Sequence, residues 1–388
     1  MFQRILNPSK TRSFFIFGAR GTGKSFFIEK QFLCGSHPET VWRIDLLDTD
    51  TEQHYARRPA RLEEDFAVRD KRPEWVFIDE VQKVPALLDH VQRMITRQRQ
   101  KFILTGSSAR KLKRTGANLL AGRAFTEHMF PLTAAEMGGA FKLQECLEYG
   151  SLPEILCLPD PETKAKYLRS YAQVYVREEI QLEQVVRKIE PFRAFLEIAA
   201  QCNGQQTNFA AIGRQVDVDH KTVEQYFQVL EQTWLGFFLP AYHRSVRKAQ
   251  AIHPKFYLFD PGVKRALERT LHVPLVPATS AYGEAFEHWV ILEIFRLNRY
   301  HDLDYRLSFF RTKEGNEIDL ILSRPGTPER LIEIKSTDRV DAESVARFAR
   351  IASTFGKAHA FLLSRDPRPS RIHGVECLPW QEGLKRVL

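Results

Sequence analysis

The stretch Ser13-Phe14-Phe15-Ile16-Phe17-Gly18-Ala19-Arg20-Gly21-Thr22-Gly23-Lys24-Ser25-Phe26-Phe27-Ile28-Glu29-Lys30 decides the fold. Its first five residues form a short apolar run bounded by polar ones, the pattern of a strand buried on both faces in a parallel sheet. Gly18 to Ser25 matches G-x-x-x-x-G-K-[ST], and Phe26 to Lys30 continues as the first turns of a helix. Strand, glycine-rich loop and helix in that order are the context in which this motif grips phosphate. Glycines let the backbone wrap closely around the anion, and the loop's N–H groups point inward as a nest. The helix N-terminus adds positive potential. The motif puts Lys24 on the β and γ phosphates and the Ser25 hydroxyl on Mg²⁺. Gly18, Gly21, Thr22, Gly23, Lys24 and Ser25 are therefore the expected nucleotide-binding set, with ATP and Mg²⁺ as the expected cofactors.

Two further strand ends agree. Trp75-Val76-Phe77-Ile78 is another buried run, ending in Asp79-Glu80. An acid at such an edge holds the Mg²⁺ shell (Asp79), and its neighbour orients and deprotonates the attacking water (Glu80). Lys101-Phe102-Ile103-Leu104 ends in Thr105-Gly106-Ser107-Ser108, where a polar side chain could sense the γ-phosphate; Ser107 is favoured over Thr105.

Composition sets bounds on everything else. A chain of 388 residues exceeds one ordinary core and implies two to four domains. A hydrophobic share of 43% and a charged share of 27% are those of a folded protein. There is no run of about eighteen apolar residues, so no membrane span is expected, and Met1 to Lys10 lacks the features of a secretory signal. Cys34, Cys146, Cys157, Cys202 and Cys377 are scattered without paired spacing, which fits reduced thiols, a cytoplasmic location and no metal knuckle. A net charge of +9 is compatible with a polyanionic partner. No pair of histidines has the i, i+4 zinc-helix spacing with Glu between.

The loop, the acidic strand end and the polar strand end, in this order, resemble the AAA+ ATPases. Leu120-Ala121-Gly122-Arg123 followed by Phe130-Pro131-Leu132 sharpens the resemblance to a prokaryotic AAA+ family whose C-terminal half was long catalogued as a domain of unknown function. That resemblance makes Arg123 a candidate arginine finger, supplied by a neighbouring subunit to stabilise charge on the γ-phosphate; a structural ion pair made by Arg123 or Arg110 is the other reading. It also implies a homo-oligomer, such as a hexameric ring. The signature Tyr149-Gly150-Ser151-Leu152-Pro153-Glu154 extends it into the middle of the chain.

From Pro131 to about Glu190 the text is helical, with Glu145 to Tyr149 and Tyr167 to Val186 as helices and Gly150 to Glu154 as a loop. Thr207 to Val216 and Thr222 to Leu230 read as two helices about the turn Asp217-Val218-Asp219. Val223, Tyr226, Phe227 and Leu230 form one buried face. Phe237 to Leu239 and Lys255 to Phe259 alternate like a hairpin, closed by Asp260-Pro261-Gly262. Its link carries His243, Arg244, Arg247 and Lys248 with no acid among them. This predicts a winged helix whose cationic wing, Arg244, Arg247 and Lys248, lies along a DNA backbone. A solvated basic face without DNA is the alternative.

After the Pro-rich stretch His272 to Pro277, Gly283 to Phe295 reads as an amphipathic helix. Leu307 to Arg311, Glu317 to Leu322 and Leu331 to Lys335 read as strands. Glu333 and Lys335 are two apart and project from one strand face. A hairpin can set Asp319 beside Glu333, and Glu287 could complete an acidic pocket that binds Mg²⁺ through oxygen, with Lys335 positioning a water. The order Glu287, Asp319, Glu333-x-Lys335 is similar to the PD-(D/E)xK nuclease superfamily, including archaeal Holliday-junction resolvases; salt bridges or a dead site are the other readings. The sequence thus predicts an α/β chain in four parts. These are a P-loop AAA+ ATPase domain (1–130), a helical lid or connector (131–190), a winged helix (191–262) and a restriction-endonuclease-like α/β domain (263–388). The predicted activity is ATP hydrolysis that remodels DNA. The rival is a nucleotide-driven switch with a degenerate nuclease-like docking domain.

Overall fold

The computed structural model describes residues 2–33, 40–108, 112, 120, 122–175, 189–243, 252–312 and 314–388. The chain divides into two units. The first comprises Met1–Leu132, Leu152–Glu154 and Gln232–Leu235; the second comprises Thr133–Ser151, Ile155–Glu231 and Gly236–Leu388.

The first unit is built on five parallel strands, β1 (Ser13–Phe17), β2 (Val41–Asp45), β3 (Trp75–Asp79), β4 (Lys101–Gly106) and β5 (Ala124–His128), in the order β2-β3-β4-β1-β5. Phe14, Phe15, Ile16 and Phe17 are all fully buried, as the unbroken apolar run of β1 requires with helices on both faces. At about 2 kcal/mol per buried side chain, those four contribute about 8 kcal/mol of burial to this strand. The edge strands differ: β2 alternates buried and exposed positions, and β5 is largely open, with Phe125 45% exposed. From β1 the chain runs to the far edge at β2, returns through β3 and β4, then passes over β1 to β5. The direction of winding reverses between β1 and β4, and the carboxyl ends of those two strands flank the crevice where open α/β sheets take ligands.

The second unit contains a six-stranded mixed sheet and a two-stranded ladder. The ladder pairs β6 (Gly236–Leu239) with β7 (Lys255–Leu258), antiparallel. Before it come helices Ile189–Gln201, Phe209–Gln215 and His220–Gln232. The Asn208 and Asp219 carboxamide and carboxylate cap the latter two on Ala211 N and Thr222 N, both at 3.0 Å. Asp217, at φ 54°, makes the left-handed turn between them. Arg244, Arg247 and Lys248, predicted to be a basic wing, lie outside the described residues, as do Cys34, Arg110, Ala121 and the end of the helix predicted to reach Val186.

Asp260-Pro261-Gly262 does not close the hairpin. It opens helix Pro261–Leu267, because Asp260 is an N-cap accepting from Val263 N at 3.1 Å and proline at the first helical position is already set for the helix. Likewise Pro153 and Glu154, the last two residues of the segment read as a loop, open the short helix Pro153–Cys157. The six strands are β8 (Arg306–Arg311), β9 (Glu317–Ser323), β10 (Arg330–Ile334), β11 (His359–Ser364), β12 (Ser370–Ile372) and β13 (Val375–Pro379), in the order β12-β13-β11-β10-β9-β8. The 21-residue helix Ser280–Tyr300 precedes them and buries Phe286, Trp289, Ile291 and Ile294.

Candidate functional site

In the first unit, Gly21 (φ 76°) and Gly23 (φ 89°) take left-handed backbone that side chains resist, and so curl the loop back on itself. Gly18 is required for a different reason: a Cβ there would overlap the Met129 carbonyl that follows β5. Phe27 N bonds to Gly23 O at 2.9 Å, so the helix Lys24–Ile28 starts as the loop ends. Lys24 is buried inside the loop, its Nζ donating to the Gly18 and Ala19 carbonyls at 2.8 and 3.2 Å. Thr22 braces the same turn, its hydroxyl donating to Ala19 O at 2.8 Å.

The acidic strand end meets this loop. Ser25 Oγ donates to Asp79 Oδ2 at 2.8 Å, and Thr105 Oγ1 donates to Asp79 Oδ1. Asp79 is therefore fixed by the two neighbouring elements, with the Thr105 hydroxyl bonded to it. Glu80 sits at φ 56°, a strained left-handed conformation for a residue with a side chain, and its N–H donates to Thr105 Oγ1 at 3.3 Å. Gln82 Nε2 donates both to Glu80 Oε2 and, at 3.1 Å, to Ser107 Oγ. Glu80 and Ser107 are thus joined through Gln82, a residue that the sequence reading did not single out and that no periodicity marks. Oxygen donors alone, the Ser25 hydroxyl and the Asp79 carboxylate, stand where the motif expects Mg²⁺; that donor set suits a hard cation.

Arg123 lies apart from this cluster. Ala124 is in register with Ser13, so Arg123 is at the amino end of the sheet, about 16 Å of strand from the loop at about 3.3 Å per residue. It is exposed, and its Nε donates to Thr96 Oγ1 at 3.1 Å.

Residues 10–138 match the family model described as AAA domain. The first third of the chain is an AAA domain. Beyond it, residues 140–272 and 282–382 match two models described as domains of unknown function, DUF8612 and DUF4143. Uncharacterized proteins of Mycobacterium tuberculosis and Mycobacterium bovis are each 24% identical over 301 residues, 74% of this chain and 66% of theirs. The chain thus spans just under two thirds of the curated relatives it matches. Among solved structures, a replication initiator DnaA bound to AMPPCP and single-stranded DNA is 14% identical with a TM-score of 0.30, covering 57% of this chain and 83% of that one. The Bacillus subtilis DNA clamp loader delta protein is 13% identical with a TM-score of 0.26, covering 76% and 96%.

The second acidic cluster lies outside the AAA domain, in the second unit. Leu320 pairs with Ile332, so Asp319 and Glu333 follow as the next opposed positions of β9 and β10. Asp319 Oδ2 accepts from Ile334 N at 2.7 Å, and Lys335 Nζ lies 2.7 Å from Glu333 Oε1. Burial pushes the Asp319 carboxyl well above the usual range, and Glu333 and Glu287 push the same way. Glu333 Oε2 is buried without a hydrogen-bond partner.

Glu287 faces the same carboxylates and is also engaged from β7. It accepts from the Tyr257 hydroxyl at 2.8 Å and lies 3.7 Å from Lys255 Nζ, which also pairs with Glu317. The structure thus brings Asp319, Glu333 and Lys335 together with Glu287 close enough to act on all three, and it also ties Glu287 to β7. Among the described residues, no group of three or more His, Cys, Asp or Glu side chains is placed to hold a metal ion. Lys255, Tyr257 and Glu317 were not singled out as site residues by the sequence reading. The available signal was Lys255 and Tyr257 on one face of an otherwise apolar strand. No helix among the described residues is long and apolar enough to cross a membrane.

Proposed function

We propose that this chain is an AAA+ ATPase that binds and remodels duplex or branched DNA by ATP hydrolysis, working as a homo-oligomer. One observation carries the ATPase reading: Lys24, Ser25, Asp79 and Glu80 gather at the carboxyl edge of one parallel sheet, with Ser25 and Asp79 joined at 2.8 Å. With Mg·ATP in the loop, Lys24 exchanges its carbonyl partners for the β and γ phosphate oxygens, and the loop N–H groups hold the triphosphate in place. Ser25 and Asp79 would hold Mg²⁺, which would supply neutralisation of charge developing on the phosphoryl oxygens. Glu80 orients the attacking water and takes its proton, a role worth about 10² to 10⁴ in rate. Gln82 sets where that carboxylate points and links it to Ser107, which senses the γ-phosphate. The position of Arg123, remote from its own loop, supports a finger that acts on a neighbouring subunit's nucleotide.

The DNA reading rests on the net charge of +9 and the basic residues Arg244, Arg247 and Lys248 that follow the capped helix pair in sequence. A measurement of ATPase rate against linear, forked and four-way DNA, with particle size determined in the same buffers, tests it. Salt-sensitive stimulation by one of these forms is expected. No stimulation by any of them defeats the DNA reading and favours a nucleotide-driven switch with a docking domain. The commitment of Glu287 to Lys255 and Tyr257 speaks for that second reading. For the C-terminal domain we infer a nuclease-like fold around Asp319, Glu333 and Lys335.

A further inference from the structure

We propose that the ammonium of Lys255 is the resident cation of the carboxylate pocket in the second unit, and that a divalent ion enters only when that lysine is absent or withdrawn. The inference rests on reading Asp319 and Glu333 as a cation-binding pair. Lys255 begins β7, outside the segment that carries the carboxylates, and reaches the pocket from the hairpin. It is only 5% exposed, its Nζ stands 3.7 Å from Glu287 Oε1 and ion-pairs with Glu317, and the Phe309 ring centroid is 5.5 Å away. The same strand delivers Tyr257, two residues on, to Glu287 Oε1 at 2.8 Å. Glu287, the third acid of the pocket, is thereby engaged by β7 through its Oε1.

What remains is a pair of opposed carboxylates: Asp319 spends one oxygen on Ile334 N, and Glu333 keeps Oε2 buried and without a hydrogen-bond partner. That orphan oxygen is an acceptor that Lys335, bonded to Oε1, leaves without a partner. A buried lysine must be paired with carboxylates to offset its own desolvation, and Lys255 meets that need on Glu317 and Glu287. The hairpin that supplies it also bears the basic link of residues 240–254.

The test uses Mn²⁺ alone as probe on the full chain without nucleotide, read by the loss of its free EPR signal. Wild type is expected to show no Mn²⁺ site that Asp319→Asn removes. Lys255→Met is expected to gain one, about a hundredfold tighter than any in wild type, since a unit charge within about 4 Å of Glu287 has been removed. Adding Glu333→Gln to that variant should abolish the gain. Lys255→Gln, which keeps a donor toward Glu317, replaces Lys255→Met if the latter melts early. Equal Mn²⁺ binding in wild type and variant, or none in either, overturns the proposal. ATP hydrolysis by the same preparations reports separately: its loss in wild type would sink the ATPase reading and leave the Mn²⁺ result standing.

Discussion

Replacing Glu293 by glutamine should erase a specific pH dependence of folding. Glu293, on helix Ser280–Tyr300, is fully buried, accepts from Ala134 N at 3.1 Å and lies 3.8 Å from the Arg296 guanidinium. Burial raises its carboxyl from an ordinary 4.5 to about 7, against the pull of Arg296. A carboxyl whose pKa is higher folded than unfolded holds its proton more tightly in the native state. It therefore costs nothing below pH 4.5, and stability is lost as pH rises through 4.5 to about 7. At about 1.36 kcal/mol per pH, that interval amounts to about 3 kcal/mol. His288, five residues earlier, acts with the opposite sign. Burial lowers its pKa from 6.5 to about 3, with Nε2 2.6 Å from Leu258 O, so its contribution is lost as pH falls below 6.5.

The two groups oppose each other between pH 4.5 and 6.5, which is why a difference measurement is needed. Urea unfolding of wild type and Glu293→Gln at pH 4, 5, 6, 7 and 8 isolates the carboxyl, because every other group cancels. The variant should gain about 3 kcal/mol relative to wild type between pH 4 and pH 8. Parallel curves over that range would refute the argument.

Three further outcomes follow from the AAA domain. Gly18→Ala should both destabilise the first unit by about 1–3 kcal/mol in chemical unfolding and weaken nucleotide binding, since the added methyl runs into the Met129 backbone carbonyl rather than a yielding side chain. Gln82→Ala should lower the ATP turnover number about tenfold or more with little change in nucleotide affinity, because it frees Glu80 from Ser107 without touching the phosphate loop. An affinity loss equal to the rate loss would contradict it. Arg123→Ala should reduce turnover by about 10³ in the assembled protein while an unassembled sample shows no deficit. A purely structural role on Thr96 would instead appear as a fall in melting temperature.

Much of the AAA domain could be read in the sequence because its signals are local. An unbroken apolar strand, a glycine loop and an acid at a strand end are each encoded within a few residues, and parallel burial forces the pattern. The same locality found β8, β9 and β10 and put Glu333 and Lys335 on one strand face. The parts that escaped depend on which distant elements meet. Gln82 acquires its role from the turn after Asp79, where Glu80 takes a left-handed conformation that sequence spacing does not reveal. Lys255 lies 32 residues before Glu287 and 62 before Glu317, and only the hairpin's placement against helix Ser280–Tyr300 and β9 brings them together. Asp260 was misread for a related reason: Asp-Pro-Gly is turn chemistry and helix-start chemistry alike, and the carboxylate's bonds to Val263 N and Ser151 N select the second.

The most direct test is equilibrium binding of Mg·ATP to the purified, folded chain and to Lys24→Ala. The account predicts saturable binding to wild type that weakens about tenfold or more in the variant, with competition by Mg·ADP. A well-folded wild-type sample that binds no nucleoside triphosphate, or binds it equally well without the Lys24 ammonium, would contradict it.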